Sequence, residues 1–272
     1  MVNSAVIDNS GGQGVIYLES CDALISNSTF SGNAGAAGDV WVRGFNGDAS
    51  VRLEYCTFSG FSGAFGAITY LADQASSSTL IRYTSCIFAG DDACFSEVAA
   101  DGVNTLESLG YNIVLDATSD AFAASTDLTS TDPLLAPLET VAGTFVHVPL
   151  AGSPARNAGD PALAAGVNGA PMFDQRGSGF DRVLEGRIDI GAIESIPTTA
   201  CGPADLTTNG NSNGVPDGLV TLSDFSFYLS LWSQSDPAAD VTTDGTANGV
   251  PDGSVTLSDF SYYLSLWSQG CP

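Results

Sequence analysis

Residues 204–234 and 239–269 are one unit written twice. ADLTTNGNSNGVPDGLVTLSDFSFYLSLWSQ is followed, at a constant offset of 35 residues, by ADVTTDGTANGVPDGSVTLSDFSYYLSLWSQ. Asp205 answers to Asp240, Asp217 to Asp252, Asp224 to Asp259 and Trp232 to Trp267. A near-verbatim duplication of this length restricts the fold to two copies of one supersecondary unit.

Each copy has an oxygen-rich half and an apolar half. In the first copy Asp205, Asn209, Asn211, Asn213, Asp217 and Asp224 sit at short intervals among glycines. That pattern suits a hard cation, because Ca2+ takes six to eight oxygen ligands and an EF-type loop closes on an acidic residue. The stretch DFSFYLSLW then places Phe225, Tyr228, Leu229 and Trp232 at i, i+3, i+4 and i+7, which predicts a short amphipathic helix. Asp224 would serve both as the last loop ligand and as an acidic group near the helix N-terminus.

The duplicated unit resembles a dockerin, through Ala204-Asp205-Leu206-Thr207, Asn213-Gly214-Val215-Pro216-Asp217-Gly218 and Asp224-Phe225 leading to Trp232, with the second copy alike. The resemblance implies two antiparallel loop–helix units around about two Ca2+ ions. It also implies docking onto a cohesin-like or other surface receptor, with contacts centred on Leu222, Ser223, Leu257 and Ser258. Each loop departs from the pattern by an insertion. A standard loop runs about twelve residues between its end ligands, whereas Asp205 to Asp224 is longer, and counting back from Asp224 puts Val215 where a third-position ligand belongs. Asp224 and Asp259 are the expected closing ligands and Asp217 and Asp252 inner ligands. Asp205, Asn209, Asn213, Asp240, Asp244 and Asn248 complete the candidate set. Asn in place of Asp lowers ligand charge and predicts a dissociation constant on the order of 10⁻⁴ to 10⁻³ M. The competing reading is an acidic spacer of plain turns, which lacks the amphipathic helix.

Cys201 and Cys271 bracket the module. A disulfide between them is expected, and closing a loop of about 70 residues would stabilise by roughly 4 kcal/mol.

Net charge is −24, and the seven basic residues other than His147 are all Arg. Such a surface argues against nucleic acid or anionic membrane as partner, and no run of apolar residues is long enough to span a bilayer. With 44% hydrophobic residues and only 14% charged, the chain is predicted to fold. MVNSAVIDNS lacks the basic start and apolar core of a signal peptide. It reads as the middle of a strand-and-turn repeat, so we expect a secreted or cell-surface protein whose N-terminus is truncated here.

Residues 1 to about 130 repeat short strand-like pieces. NSTFSGN, YCTFSGF and SCIFAGD place Phe30, Phe58 and Phe88 at spacings of 28 and 30 residues. A helix-free repeat of 20–30 residues is a solenoid signature. The pattern resembles right-handed parallel β-helix proteins of the pectin-lyase-like kind. Alternation sends Cys56 and Phe58 inward and Thr57 outward, stacking Ser28, Cys56 and Cys86 in an interior column. An unpaired Cys ladder is the favoured reading there; Cys56–Cys86 and Cys86–Cys94 bridges are the alternatives, and the state of Cys21 stays open.

The blocks SLGYNIVLD, DPLLAPL, GSPARNAGDPA, DQRG and GRIDIGAIE, in that order, resemble the C-terminal segment of choice-of-anchor Q proteins. The resemblance implies an irregular, proline-pinned cap over about residues 105–199 that closes the end of the β-helix. Within it Asp174, Arg176, Arg187, Asp189 and Glu194 are expected to pair structurally.

The expected fold is thus mainly β: a right-handed parallel β-helix with an irregular cap over 1–199, then a small α-helical calcium-binding dockerin-like domain over 200–272. The expected function is non-catalytic, an adhesin-like display or a polysaccharide-facing surface, with attachment through the module. The alternative is a dockerin-bearing polysaccharide lyase or hydrolase using Asp91-Asp92 as an acid–base pair. That alternative lacks the Gly-His-Gly and Arg-Ile-Lys segments of pectinases, and Asp91-Asp92 reads more simply as a polar turn.

Overall fold

Apolar residues alternating with small polar ones commit the first half of the chain to strands with one buried face. The structure, a computed structural model, describes residues 1–11, 14–35, 37–61, 65–90, 94–98, 101–115, 121–150, 152–184, 186–195, 202–207, 216 and 220–270. It divides into two units, Met1–Ser195 and Ile196–Pro272.

In the first unit, parallel strands stack into a β-solenoid of about four turns. The first turn holds β1 (Ala5–Ile7), β2 (Ser10–Gly11) and β3 (Ile16–Glu19), and the second β4 (Asp22–Ser31), β5 (Ala34–Gly35) and β6 (Val40–Gly44). The third holds β7 (Ala49–Ser59) and β8 (Ile68–Ala72), and the fourth β9 (Ser78–Thr84), β10 (Ile87–Ala89) and β11 (Phe95–Glu97). β12 (Val103–Ser108) and β13 (Ile113–Val114) continue the stack. One sheet runs β1-β4-β7-β10-β13, with β9 and β12 extending from the first half of β7; a second runs β3-β6-β8-β11.

The sequence repeat is a strand register. Phe30 lies opposite Phe58, and Phe58 opposite Phe88. Their rings stack with centroids 4.6 Å and 5.1 Å apart, all fully buried. Each such pair adds roughly 0.5–1.5 kcal/mol beyond the area it buries. Ser28 and Cys56 share register, and Cys21, Cys56 and Cys86 are free thiols.

Each turn bends at one column of left-handed residues. Asn3, Asn27, Tyr55, Ser85 and Tyr111 have φ between 51° and 58°. Asn tolerates that conformation, whereas Tyr adopts it only where packing compels it. Tyr55 is buried against Ala170 and Ile188 and lies under the Arg182 guanidinium, 5.0 Å from its ring.

The segment after β13 departs from the expected end cap. Only its beginning extends the stack, where Leu128 bridges Ile113. The remainder, including the antiparallel hairpin β14 (Glu139–Val141) and β15 (Thr144–Val146), lies across the outer side of the large sheet. Asn27 donates to the Phe173 carbonyl at 3.1 Å, Thr29 to Gln175 Oε1 at 2.6 Å, and Thr57 Oγ1 accepts from Ala192 N at 3.0 Å. The outward Ser and Thr column supplies the donors and acceptors that an irregular backbone needs when it is buried. Outward-pointing Thr29 and Thr57 are therefore as buried as the core.

Within this strap the expected ionic network contracts to one pair among the described residues. Arg176 meets Asp174 at 2.5 Å with both side chains sequestered. Arg187 instead donates to the Ala158 and Gly159 carbonyls. Asp189 accepts from the backbones of Asn157 and Ser195, and Glu194 from Asp189 N at 3.0 Å. Arg182, fully buried, donates to the Asp189 and Gly191 carbonyls.

Candidate metal centre

The second unit carries the duplicated stretch as two helices, α1 (Leu222–Ser233) and α2 (Leu257–Gln269), with a short 3₁₀ turn ahead of each, at Gly202–Ala204 and Pro237–Ala239. Both helices start in the same way. Thr221 and Thr256 are N-caps whose side chains accept from the backbone, while Asp224 and Asp259 at the third helical position reach back to the N-cap N–H. This capping box satisfies amides that a helix N-terminus otherwise leaves orphaned. The helix stripe differs by one residue from the expected one: Phe225, Tyr228, Leu231 and Trp232 pack into the module core, and Leu229 does not.

The two aspartates also hold the start of their loops. Asp224 Oδ1 accepts from Leu206 N and Thr207 N at 2.8 and 2.9 Å, and Asp259 Oδ1 from Val241 N and Thr242 N at 2.9 Å each. Burial pushes the Asp259 carboxyl up, but the N–H groups of Thr256, Thr242 and Val241 outweigh it and hold it below the ordinary carboxylate range.

Of the remaining described candidates, Asp205 is buried in the first copy and the others lie in the second loop. Asp240 accepts from Asp252 N at 3.1 Å and Gly253 N at 2.5 Å. Asp252 Oδ2 accepts from Asp244 N at 2.8 Å, and Asp244 Oδ1 takes the Thr256 hydroxyl, which also reaches Asp259. Asn248 Oδ1 accepts from Thr243 N, Val250 N and the Thr242 hydroxyl. Asp240, Asp244 and Asp252 are thus tied into one loop, with Asp244 and Asp259 sharing a hydroxyl. Among the described residues no three His, Cys, Asp or Glu side chains close around one point. Asn209, Asn213 and Asp217, and Cys201 and Cys271, lie outside the described residues, as do Asp91 and Asp92 of the solenoid.

The donor set fits Ca2+ in kind. Every candidate is an oxygen ligand, and Asp205, Asp224, Asp240 and Asp259 are 2%, 0%, 8% and 0% exposed. Residues 200–272 contain no Lys, Arg or His, so no side chain of the module can neutralise them. Buried charge without a counter-charge is expensive; backbone N–H groups answer that of Asp224, Asp240 and Asp259, and threonine hydroxyls add to it at Asp224 and Asp259.

Leu222 and Leu257 are each 68% exposed, at matching positions of the two helices. Leu257 and Ser258 line a surface cleft of about 500 Å³ with Gly245, Thr246 and Tyr262. Sequence reasoning missed Thr221 and Thr256, although Thr-x-x-Asp before an apolar run is a capping-box signal. On the solenoid, His147 has a place no motif announced. Its Nδ1 donates to the Ala136 carbonyl at 2.8 Å, so its Nε2 accepts from Ser31 at 2.9 Å. Burial lowers its pKa.

Comparison with the profiles of protein families, with characterised proteins and with solved structures finds no match to this chain.

Proposed function

We propose that this is a secreted or cell-surface protein that displays a non-catalytic β-solenoid through a dockerin-like, calcium-dependent attachment module. The observation that carries the reading is the set of four buried aspartates in a module without a single basic side chain. When bound, Ca2+ supplies the positive charge the module lacks.

The residues that would hold it are Asp240, Asp244, Asn248, Asp252 and Asp259, with Asp205, Asn209, Asn213, Asp217 and Asp224 in the first copy. Thr221 and Thr256 orient the closing aspartates, and the capping boxes fix the helices to the loops. Ordering of the loops then presets the helix faces carrying Leu222, Ser223, Leu257 and Ser258, where a cohesin-like surface receptor docks.

Calorimetric titration of the full chain with Ca2+ tests this reading. The expected result is about two ions bound, with the affinity of an extracellular module. Binding falls to about one ion in Asp252→Ala or Asp217→Ala and is lost in the double variant. No heat of binding up to about 10 mM Ca2+, beyond that affinity range, would overturn it.

A further inference from the structure

The polar tips of the core aromatics cross between the two copies. Tyr228 of α1 donates its hydroxyl to the Ala239 carbonyl at 3.0 Å, and Trp232 of α1 donates its indole N–H to the Thr256 carbonyl at 2.8 Å. Ala239 immediately precedes Asp240, and Thr256 is the N-cap that precedes Asp259 in the capping box. The first helix therefore grips the second loop at both ends. The reverse also holds: Tyr263 of α2 donates to the Ala204 carbonyl at 3.0 Å, one residue before Asp205, and Trp267 to the Thr221 carbonyl at 2.7 Å. All four bonds hold carbonyls of the opposite copy.

The rings that reach across are fixed in place. Tyr228 and Tyr263 are fully buried and stacked on one another, while Trp232 packs on Phe260 and Trp267 on Phe225. Each grip thus belongs to the shared core and cannot relax independently. Holding a loop's two ends at fixed separation removes conformational freedom that a ligand would otherwise have to remove, which raises affinity without adding a ligand atom.

We propose that Tyr228 and Trp232 are positioning residues for the second calcium loop, and Tyr263 and Trp267 for the first, so that each ion is held by its own loop and by the other copy's helix. The proposal rests on the calcium reading above. It also makes the two loops cooperative, since ordering one loop steadies the helix that grips the other.

The test uses full-length chains with one loop disabled. In an Asp217→Ala background the second loop is the remaining site. There Tyr228→Phe, which keeps the ring and removes only the hydroxyl, weakens Ca2+ binding by about three- to tenfold, the worth of one hydrogen bond. Tyr263→Phe in that background changes it by less than about twofold. In an Asp252→Ala background the pattern reverses. Trp232→Phe and Trp267→Phe repeat the crossed pattern, with far-UV circular dichroism confirming that the helices persist. Equal effects of both substitutions in both backgrounds, or a stronger effect on the loop of the same copy, would overturn the proposal while leaving calcium binding intact. Absence of binding by the unmodified chain would instead remove the calcium reading itself.

Discussion

The rings of Tyr228 and Tyr263 lie 3.7 Å apart between centroids and within 2° of parallel, and neither side chain is exposed to solvent. They occupy equivalent positions of the two copies, so the stack marks where the repeat meets itself. Truncating either ring empties the centre of a small core formed with Ala204 and Ala239. Tyr228→Ala or Tyr263→Ala should destabilise the module by about 3–5 kcal/mol, the usual cost of removing a buried aromatic. Urea unfolding followed by tryptophan fluorescence checks this, since Trp232 and Trp267 both lie in the module. An unchanged midpoint would mean that the stack does not organise the core.

The helices were legible because the duplication fixed the boundaries and the apolar spacing fixed the face. The stripe still chose Leu231 over Leu229, since the helix faces a partner helix and a loop rather than one flat surface. The solenoid was legible from the Phe30, Phe58 and Phe88 spacing, which translates directly into stacked rings. The strap was not. Alternation correctly turned Thr29 and Thr57 away from the solenoid interior, but period-2 patterning cannot show that a later segment will cover an outward face. Nor did ligand-type residues in the second loop reveal their present partners, because Asp, Asn and Thr serve turns and caps as readily as ions.

Removing a capping group should loosen a helix start. Thr256→Ala deletes the side chain that accepts from Ser258 N and that reaches Asp244 and Asp259. A loss of about 1–2 kcal/mol is expected, read as a lower unfolding midpoint of the module without Ca2+. Thr221→Ala should match it, since the first helix carries the same box. A neutral outcome at both positions would show that the boxes are incidental to stability.

Gly191 sits where the strap packs directly on the solenoid. Its φ is +98°, and a Cβ there would stand 2.6 Å from Ile87 Cδ1 and 2.8 Å from Thr57 Oγ1. Both the backbone conformation and the contact exclude a side chain. Gly191→Ala should cost about 1–3 kcal/mol, and limited proteolysis should cut the strap sooner than in the unmodified chain. The neighbouring bonds from Gly191 N to the Ser85 carbonyl and from Ala192 N to Thr57 should be the first to open, visible as faster amide exchange.

The strap should also make stability depend on pH through Glu194. Burial first, and the nearby Asp189 carboxyl second, push Glu194 up to about 8, against the opposing pull of Arg182. Asp39, buried in the solenoid, is pushed up to about 7 by the same desolvation. Both groups prefer the protonated form when folded and ionise at ordinary pH when unfolded. Their protonated forms carry no penalty at low pH, and stability falls as pH rises from about 4 through 8, on the unfolded and folded pKa values. His147 acts in the opposite sense. Burial lowers its pKa, so stability is complete above about 6.5 and declines as pH falls below that value. Glu194→Gln removes the ionisation while keeping an oxygen to accept from Asp189 N. It should raise stability at pH 8 and leave it nearly unchanged at pH 5, as read from denaturant midpoints at the two values. An equal shift at both would show that Glu194 is ionised in the folded chain and that its carboxylate is balanced by Arg182.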